Sequence, residues 1–145
     1  MAFNRNQLIL RLQELGLPKG KYVLLAGGAM VMHGLREQTN DLDILVALDV
    51  FEALGSKHGF VEPKGGKPKF VDLGPDVELS GNSDNAFPTD SIARAVQIDG
   101  ICVQPLEDIL DFKKKLNRPK DLNDILILEA ETNRRAVESA RSRLP

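Results

Sequence analysis

The sequence predicts a mixed α/β (α+β) domain in which a sheet of about five strands carries helices packed on it. Three patterns lead to this prediction: apolar runs of strand length, apolar residues repeated at helical spacing, and glycine-containing turns between the strand candidates. The predicted order is helix, strand, helix, strand, helix, two strands, a β-hairpin and two helices. With 145 residues, of which 42% are hydrophobic, the chain has the size and composition of one domain spanning residues 1–145.

The first half of the chain alternates helices with strands. Leu8, Leu12 and Leu15 fall on one face of a helix, which we place at residues 3–15. The strands are short apolar runs, and a pair of glycines follows the first of them. The elements after the first helix are a strand at 22–26, a turn at Gly27-Gly28, a helix at 29–33 and a strand at 41–47.

One hairpin and one further pair of strands are predicted in the second half. Asp99-Gly100 lies between two alternating apolar runs, and a two-residue Asp-Gly loop in this setting is a strong hairpin signal. Gly74-Pro75-Asp76 separates another pair of strand candidates. The predicted strands are 70–73 with 77–79 and 96–98 with 101–103, and the long loops are a basic one at 63–69 and a polar one at 80–90.

Two helices complete the predicted order. Each is opened by a proline at its first position, Pro105 in one and Pro119 in the other. Proline is tolerated there because the first N–H groups of a helix have no partner within that helix. We expect the second helix to run into the 130s and its polar end to fray.

Charge and composition exclude several classes of protein. A net charge of −2 argues against a protein held on nucleic acid by broad electrostatics, but not against an enzyme that meets one end of an RNA. The single cysteine, Cys102, allows no internal disulfide and fits a reducing compartment. No apolar stretch suits a signal peptide or a membrane span, so we expect a cytoplasmic protein with no membrane contact.

Asp41 and Asp43 are the leading candidates for a metal site. Because side chains alternate along a strand, the two carboxylates share one face. Hard divalent cations take oxygen ligands, and such cations can clamp the oxygens of an in-line phosphoryl or nucleotidyl transfer. The plain alternative is that both side chains lie at the exposed start of the strand and are merely solvated.

Gly27 and Gly28 add a second feature. Glycines let a phosphate approach the backbone closely, and the start of the next helix offers N–H groups to an anion. The alternative is an ordinary turn. Gly28 and Asp41 are thirteen positions apart, which is enough for one short helix and a return to a neighbouring strand.

Residues 24–46 resemble the signature of the polymerase-beta-type nucleotidyltransferase superfamily. The branch they resemble is that of its small bacterial members, the minimal nucleotidyltransferases and abortive-infection toxins. The matching positions are Gly27-Gly28, His33-Gly34, Arg36, Thr39 and Asp41-Leu42-Asp43-Ile44.

The resemblance implies a nucleotidyltransferase-like fold and the transfer of a nucleotidyl group from a nucleoside triphosphate. The acceptor would be a hydroxyl on RNA, a protein or a small molecule. Asp41, Asp43 and a third carboxylate would hold Mg²⁺ or Mn²⁺, and the nucleotide would lie near Gly27, Gly28 and Thr39. A non-catalytic binding module on the same fold, one half of a toxin–antitoxin or other pair with a partner protein, is the alternative.

The third carboxylate has two candidates, each between apolar residues of a predicted strand. Glu78 is favoured, and Asp72 also fits. If residues 74–76 form a three-residue loop, Asp72 lies directly opposite Glu78, and like charges so placed are destabilising unless something neutralises them. The alternative is that both belong to the solvent face of an ordinary hairpin.

Lys113 lies within an apolar helical stripe that includes Leu106 and Ile109. Lysines are rarely buried unless paired, so Lys113 extends to solvent, pairs with an internal acid, or lines a site. Residues 112–121 resemble the C-terminal motif of the abortive-infection branch, which implies that Lys113 meets the triphosphate and that Asp121 lies near the nucleotide, holding Arg118 or Lys113. Alternatively, Asp121 complements the dipole of the last helix.

Overall fold

The computed structural model describes residues 2–82 and 87–144, so part of the polar loop predicted at 80–90 lies outside the described residues. The chain forms two compact units, Met1–Gln104 and Pro105–Pro145. The single domain expected from length and composition stays a prediction.

The first unit contains three helices and eight strands in its described part. The helices are α1 Arg5–Leu15, α2 Ala26–Met32 and α3 Leu48–His58. The strands are β1 Phe3–Asn4, β2 Tyr22–Leu24, β3 Gln38–Thr39, β4 Leu42–Val46, β5 Val71–Asp72, β6 Val77–Gly81, β7 Val96–Ile98 and β8 Ile101–Val103.

A mixed six-stranded sheet forms the centre of the first unit, with strand order β5-β6-β4-β2-β8-β7. The pairs β4–β6 and β2–β8 are parallel, and the other three pairs are antiparallel. The mixed α+β fold class is therefore confirmed, and the six strands of the sheet match the six strand positions predicted individually, against a stated total of about five. Strands β1 and β3 form a separate two-stranded ribbon.

The central strand β4 has two different faces. Leu42, Ile44 and Val46 point to the apolar face, where they are at most 1% exposed. Asp43 and Leu45 point to the other face. Leu45 packs there with Val23 and Leu25 in an apolar cluster. This second face is thus acidic where β4 begins and apolar further along, which confines the predicted carboxylate site to one end of the strand.

The predicted turn at Gly27-Gly28 is wrong, because both glycines lie in the first turn of α2. The chain changes direction one step earlier, at Ala26, whose φ of 48° is left-handed. The glycines serve close packing instead. A Cβ at Gly28 would lie 2.9 Å from Leu24 Cδ1, and one at Gly27 would lie 2.6 Å from Thr39 Oγ1.

The predicted hairpin is confirmed, and the pair of strands around residues 74–76 also forms one. Strands β7 and β8 pair antiparallel around Asp99 and Gly100, whose φ angles of 48° and 80° are those of a type I′ turn. Strands β5 and β6 pair around the loop 74–76, where the Leu73 N–H donates to the Val77 carbonyl at 3.1 Å.

In its described part, the second unit consists of two helices joined by a short 3₁₀ turn. They are α4 Leu106–Leu116 and α5 Leu122–Ser142, and the turn is Pro119–Asp121. Pro105 caps α4 rather than occupying its first position. Helix α5 extends well past the 130s, and Arg134 supports this part through ion pairs with Glu131 and Glu138, one helical turn away on either side. No helix in residues 2–82 and 87–144 is both long and apolar enough to cross a membrane.

Candidate functional site

The sheet register places three acidic residues in a row across adjacent strands. Asp43 of β4 pairs with Glu78 of β6, and Glu78 pairs with Asp72 of β5. Paired residues of neighbouring strands point to the same face, about 4.8 Å apart. The predicted opposition of Asp72 and Glu78 is confirmed. Asp41 immediately precedes β4 and is exposed. We call these four residues the acidic row.

The carboxylates of the acidic row repel one another. Burial, followed by the charges of Asp41 and Glu78, raises the pKa of Asp43 to about 6. Burial and the charges of Asp41 and Asp72 likewise raise the pKa of Glu78. Within the described part of the chain, none of these carboxylates forms an ion pair with a lysine or arginine. The row therefore destabilises the fold at neutral pH unless a cation joins it.

Asp72 and Glu78 differ in what holds them. The Asp72 carboxylate accepts a hydrogen bond of 3.0 Å from the Gly74 N–H, so the hairpin loop fixes it. The Glu78 side chain makes no hydrogen bond to another described residue, and it is exposed. Its longer side chain can therefore turn toward Asp43 or away from it. This difference favours Glu78 over Asp72 as a ligand.

The carboxylates fit a hard cation by donor chemistry and charge. All their donor atoms are oxygens, as Mg²⁺ and Mn²⁺ prefer, and positive charge would relieve the repulsion that raises the pKa of Asp43. As the side chains lie, however, no group of three or more His, Cys, Asp or Glu residues in 2–82 and 87–144 is arranged to hold a metal ion. Binding one would require the exposed side chains of Asp41 and Glu78 to change rotamer.

Gly27 lies beside the start of the acidic strand. A Cβ at Gly27 would lie 2.6 Å from Thr39 Oγ1 and 2.8 Å from Arg36 Nη1, so only a glycine fits without displacing them. Thr39 is buried, and its hydroxyl donates to the Asp41 carbonyl at 3.2 Å. The structure thus brings Gly27, Thr39 and Asp41 together, whereas Gly28 packs against Leu24 in the core.

Sequence reasoning missed Gln104, a residue only 5% exposed. Its side-chain Oε1 accepts a hydrogen bond of 3.0 Å from the Ala26 N–H, and its carbonyl accepts one of 2.9 Å from His33 Nε2. His33 is therefore hydrogen-bonded, as a packed histidine would be. The available signal was a polar amide directly after the apolar run 101–103, because a buried amide needs a partner.

The second unit holds an acidic pair whose charge is compensated. Lys113 is buried and forms ion pairs with Asp121 at 3.2 Å and Asp124 at 3.1 Å. Arg118 donates two hydrogen bonds to Asp121, at 2.6 and 3.0 Å. The Arg118 guanidinium, and then Lys113, lower the pKa of Asp121.

These contacts identify one of the alternatives considered for Lys113, the internal ion pair. They also show Asp121 holding both Arg118 and Lys113. The roles of Lys113 and Asp121 at a nucleotide stay predictions. Asp124 was missed, although its position three residues after Asp121 places both on one side of a helix.

Comparison with known proteins yields one likeness. No family model matches the chain, and no curated protein matches it by sequence. Among solved structures, it is similar to that of ANT(2")-Ia, an aminoglycoside nucleotidyltransferase, in complex with adenylyl-2"-tobramycin. The TM-score is 0.49 and the identity 17%, over 94% of this chain and 92% of that chain. A likeness of this degree assigns no chemistry to the residues of this chain.

Proposed function

We propose that the chain is a metal-dependent nucleotidyltransferase that moves a nucleotidyl group from a nucleoside triphosphate to a hydroxyl acceptor on RNA, a protein or a small molecule. The observation that carries the proposal is the acidic row, in which Asp43 is crowded by Asp41 and Glu78 without a compensating cation. Clustering like charges on a rigid sheet is unfavourable, and a bound divalent ion would offset the repulsion.

The proposed roles follow from what each residue touches. Asp41, Asp43 and Glu78 would hold Mg²⁺ or Mn²⁺, which when bound offsets the charge that develops on the phosphates. Gly27 has no Cβ, so the side chains of Thr39 and Arg36 lie close against its backbone, and a phosphate would meet Gly27 beside them. Gly28 lets the helix pack against Leu24 and would act by keeping Gly27 in place.

The proposed reaction is an in-line displacement at the α-phosphorus of the nucleotide. The acceptor oxygen forms a bond to that phosphorus, the bond to pyrophosphate breaks, and the hydroxyl proton passes to a neighbouring carboxylate. Thr39 supports this geometry because its hydroxyl, which lies against Gly27, donates a hydrogen bond of 3.2 Å to the Asp41 carbonyl.

Lys113 and Asp121 are retained as proposed nucleotide contacts. A triphosphate that binds Lys113 must compete with two carboxylates at 3.1 and 3.2 Å. Such competition weakens binding relative to an unpaired lysine, because the ion pair already satisfies the ammonium group.

A location in the cytoplasm and a partner protein are likewise proposals from the sequence.

Thermal unfolding with each nucleoside triphosphate, with and without Mg²⁺ or Mn²⁺, tests the proposal. We expect the metal and nucleotide together to stabilise the wild type by about 2.7 kcal/mol at a ligand concentration 100 times the dissociation constant. The variant Asp41→Asn/Asp43→Asn should lose this stabilisation. The matched control is Asp49→Asn, an acid of the same unit that pairs with Lys21 away from the row and should keep it.

Two outcomes would redirect the search. If no metal or nucleotide shifts the wild type, the non-catalytic binding module replaces the enzyme as the better hypothesis, and a protein partner should be sought. If the double variant shifts as much as the wild type, the ligand binds elsewhere and the acidic row is not the site.

A further inference from the structure

Ala26, the first residue of helix α2, has a backbone conformation that is unfavourable for alanine. Ala26 has a φ of 48°, in the left-handed region that costs a residue with a Cβ free energy. Such a conformation persists only where the surroundings fix it. The next residue is Gly27, so the left-handed step at Ala26 determines where the Gly27 backbone lies.

Gln104 supplies contacts that fix this step. Its main-chain N–H donates to the Leu24 carbonyl at 2.9 Å, which anchors Gln104 to the end of β2. Its side-chain Oε1 then accepts the Ala26 N–H at 3.0 Å. Its carbonyl accepts from His33 Nε2 at 2.9 Å, at the other end of α2. One buried residue therefore binds both ends of a seven-residue helix.

The same segment is tied to the acidic row. The Leu25 N–H donates to the Asp43 carbonyl at 2.9 Å, while the next N–H, that of Ala26, donates to Gln104. Two consecutive amides thus point to different partners, one on the acidic strand and one on Gln104. Without the second contact, Ala26 can relax toward negative φ, and Gly27 then moves relative to Thr39, only a short distance away.

We infer that Gln104 is a positioning residue, which fixes Gly27 against Thr39 and the acidic strand by holding Ala26 in the left-handed conformation. Its effect on a nucleotide rests on the proposed function, whereas its hold on Ala26 does not. Gln104 touches no reacting atom and acts through Ala26. The inference explains why a buried polar side chain is kept after the apolar run of β8.

Three variants separate this role from simple packing. Gln104→Met keeps a side chain of similar length but has no strong acceptor for the Ala26 N–H. Gln104→Glu keeps an acceptor oxygen. Gln104→Met/Ala26→Gly lacks the acceptor but has glycine at the left-handed position, where glycine needs no support.

The first measurement is amide hydrogen exchange of the full chain without ligand, resolved by NMR. In wild type we expect the Ala26 amide to be protected. In Gln104→Met it should exchange up to about tenfold faster, as expected for one lost hydrogen bond. The Leu25 amide, bonded to the Asp43 carbonyl, should not change, and Gln104→Glu should remain protected. This arm needs no nucleotide, so it decides the hold on Ala26 even if the proposed function fails.

The second measurement is the shift in melting temperature caused by Mg²⁺ and a nucleoside triphosphate. We expect Gln104→Met to lose most of the wild-type shift and Gln104→Met/Ala26→Gly to recover it. A packing role predicts no selective recovery, because glycine at position 26 does not refill the core. An unprotected Ala26 amide in wild type would overturn the inference, and so would a metal- and nucleotide-dependent shift in wild type that is equally large in Gln104→Met. If wild type shows no shift at all, the proposed function fails and the amide exchange alone decides the inference.

Discussion

The two units of the molecule each contain a group of acidic side chains, and the groups differ in what neutralises them. In the first unit Asp43 and Glu78 face like charges, and the pKa of Asp43 rises to about 6. In the second unit Asp121 faces Arg118 and Lys113, and its pKa falls. The same side-chain type is therefore unsatisfied in one unit and satisfied in the other.

The difference is the one expected between a group of acids that binds an external ion and a group that makes a structural contact. Asp121 and Asp124 already have their cation, since Lys113 lies 3.1–3.2 Å from both. A group of acids that is to bind an external ion must lack such a partner, at a cost to stability. On this reasoning the acidic row is the better candidate for an ion, and the cluster around Lys113 stabilises the pair of helices.

The largest expected effect is that of Lys113→Met. The substitution leaves Asp121 and Asp124 without the buried ammonium between them, and removing one partner of a buried ion pair typically costs about 3–5 kcal/mol. We therefore expect a loss of that order in the free energy of unfolding, measured by urea denaturation at neutral pH.

Lys114→Met is the matched control for this prediction. Lys114 is the next residue of the same helix, is half exposed, and lies 3.7 Å from Glu129. Exposed pairs of this kind contribute about 0–1 kcal/mol, so this variant should unfold almost as the wild type does. Equal losses in the two variants would show that the buried ion pairs do not stabilise the second unit more than a surface pair does.

The next effect has the opposite sign. Asp43→Asn removes a carboxylate whose pKa is raised to about 6 in the folded protein. Each pH unit between the folded and unfolded pKa corresponds to about 1.4 kcal/mol, so we expect about 2–3 kcal/mol greater stability than wild type at neutral pH without divalent ions. Asp49→Asn is the control, because Lys21 lowers the pKa of Asp49 and its removal should bring no such gain. A destabilised Asp43→Asn would mean that Asp43 is already compensated.

The pH dependence of stability should distinguish the two groups. Because the pKa of Asp43 is raised, the folded state binds more protons than the unfolded state between pH 4 and about 6. The contribution of Asp43 therefore falls as the pH rises through this range, and the gap between Asp43→Asn and wild type should widen. Denaturant unfolding at several pH values measures that gap, and a constant gap would contradict the shift.

Asp121 should act in the opposite direction. Its lowered pKa means that it contributes stability above the unfolded value of 3.8, and this contribution is lost as the pH falls through the folded pKa. In wild type the contribution of Asp43 to stability therefore falls as the pH rises toward about 6, whereas that of Asp121 falls as the pH drops below about 4. A comparison of Asp121→Asn with wild type should show the gap starting to close below about pH 4, where the unfolded acid becomes protonated before the folded one.

The sequence was sufficient for the parts of the molecule that depend on local pattern. The Asp-Gly hairpin at residues 99–100 and the three-residue loop at 74–76 were predicted correctly, because turn chemistry and strand alternation are local. From the loop length alone, Asp72 could be placed opposite Glu78. The pairing of Asp43 with Glu78 joins strands separated by α3 and a long loop, and only the resemblance suggested it.

The parts that could not be predicted depend on contacts distant in sequence. Gly27 and Gly28 were interpreted as a turn, but the chain turns at Ala26. Alanine alone disfavours that conformation, and the hydrogen bond from its N–H to the distant Gln104 is not visible in a local sequence pattern. Helical spacing placed Lys113 on the apolar stripe of its helix but left open whether it extends to solvent, pairs with an internal acid or lines a site. The spacing of Asp124 from Asp121 was a signal for a second partner, but only the way in which α4 and α5 face each other shows that Asp124 reaches Lys113.

The smallest expected effect decides between Glu78 and Asp72 as the third carboxylate. Removing either charge relieves a cross-strand repulsion and should raise stability by only about 0.2–1 kcal/mol without metal. The informative quantity is the stabilisation that Mg²⁺ or Mn²⁺ with nucleotide adds.

We expect Glu78→Gln to lose most of this stabilisation and Asp72→Asn to keep it, because the Gly74 N–H holds Asp72 in place whereas Glu78 can rotate toward Asp43. An asparagine at position 72 still accepts that hydrogen bond, so the hairpin loop is preserved and the pair is matched. The reverse pattern would assign the ligand to Asp72. It would also mean that the hydrogen bond to the loop orients the Asp72 carboxylate for the metal, so that a fixed side chain is a better ligand here than a mobile one.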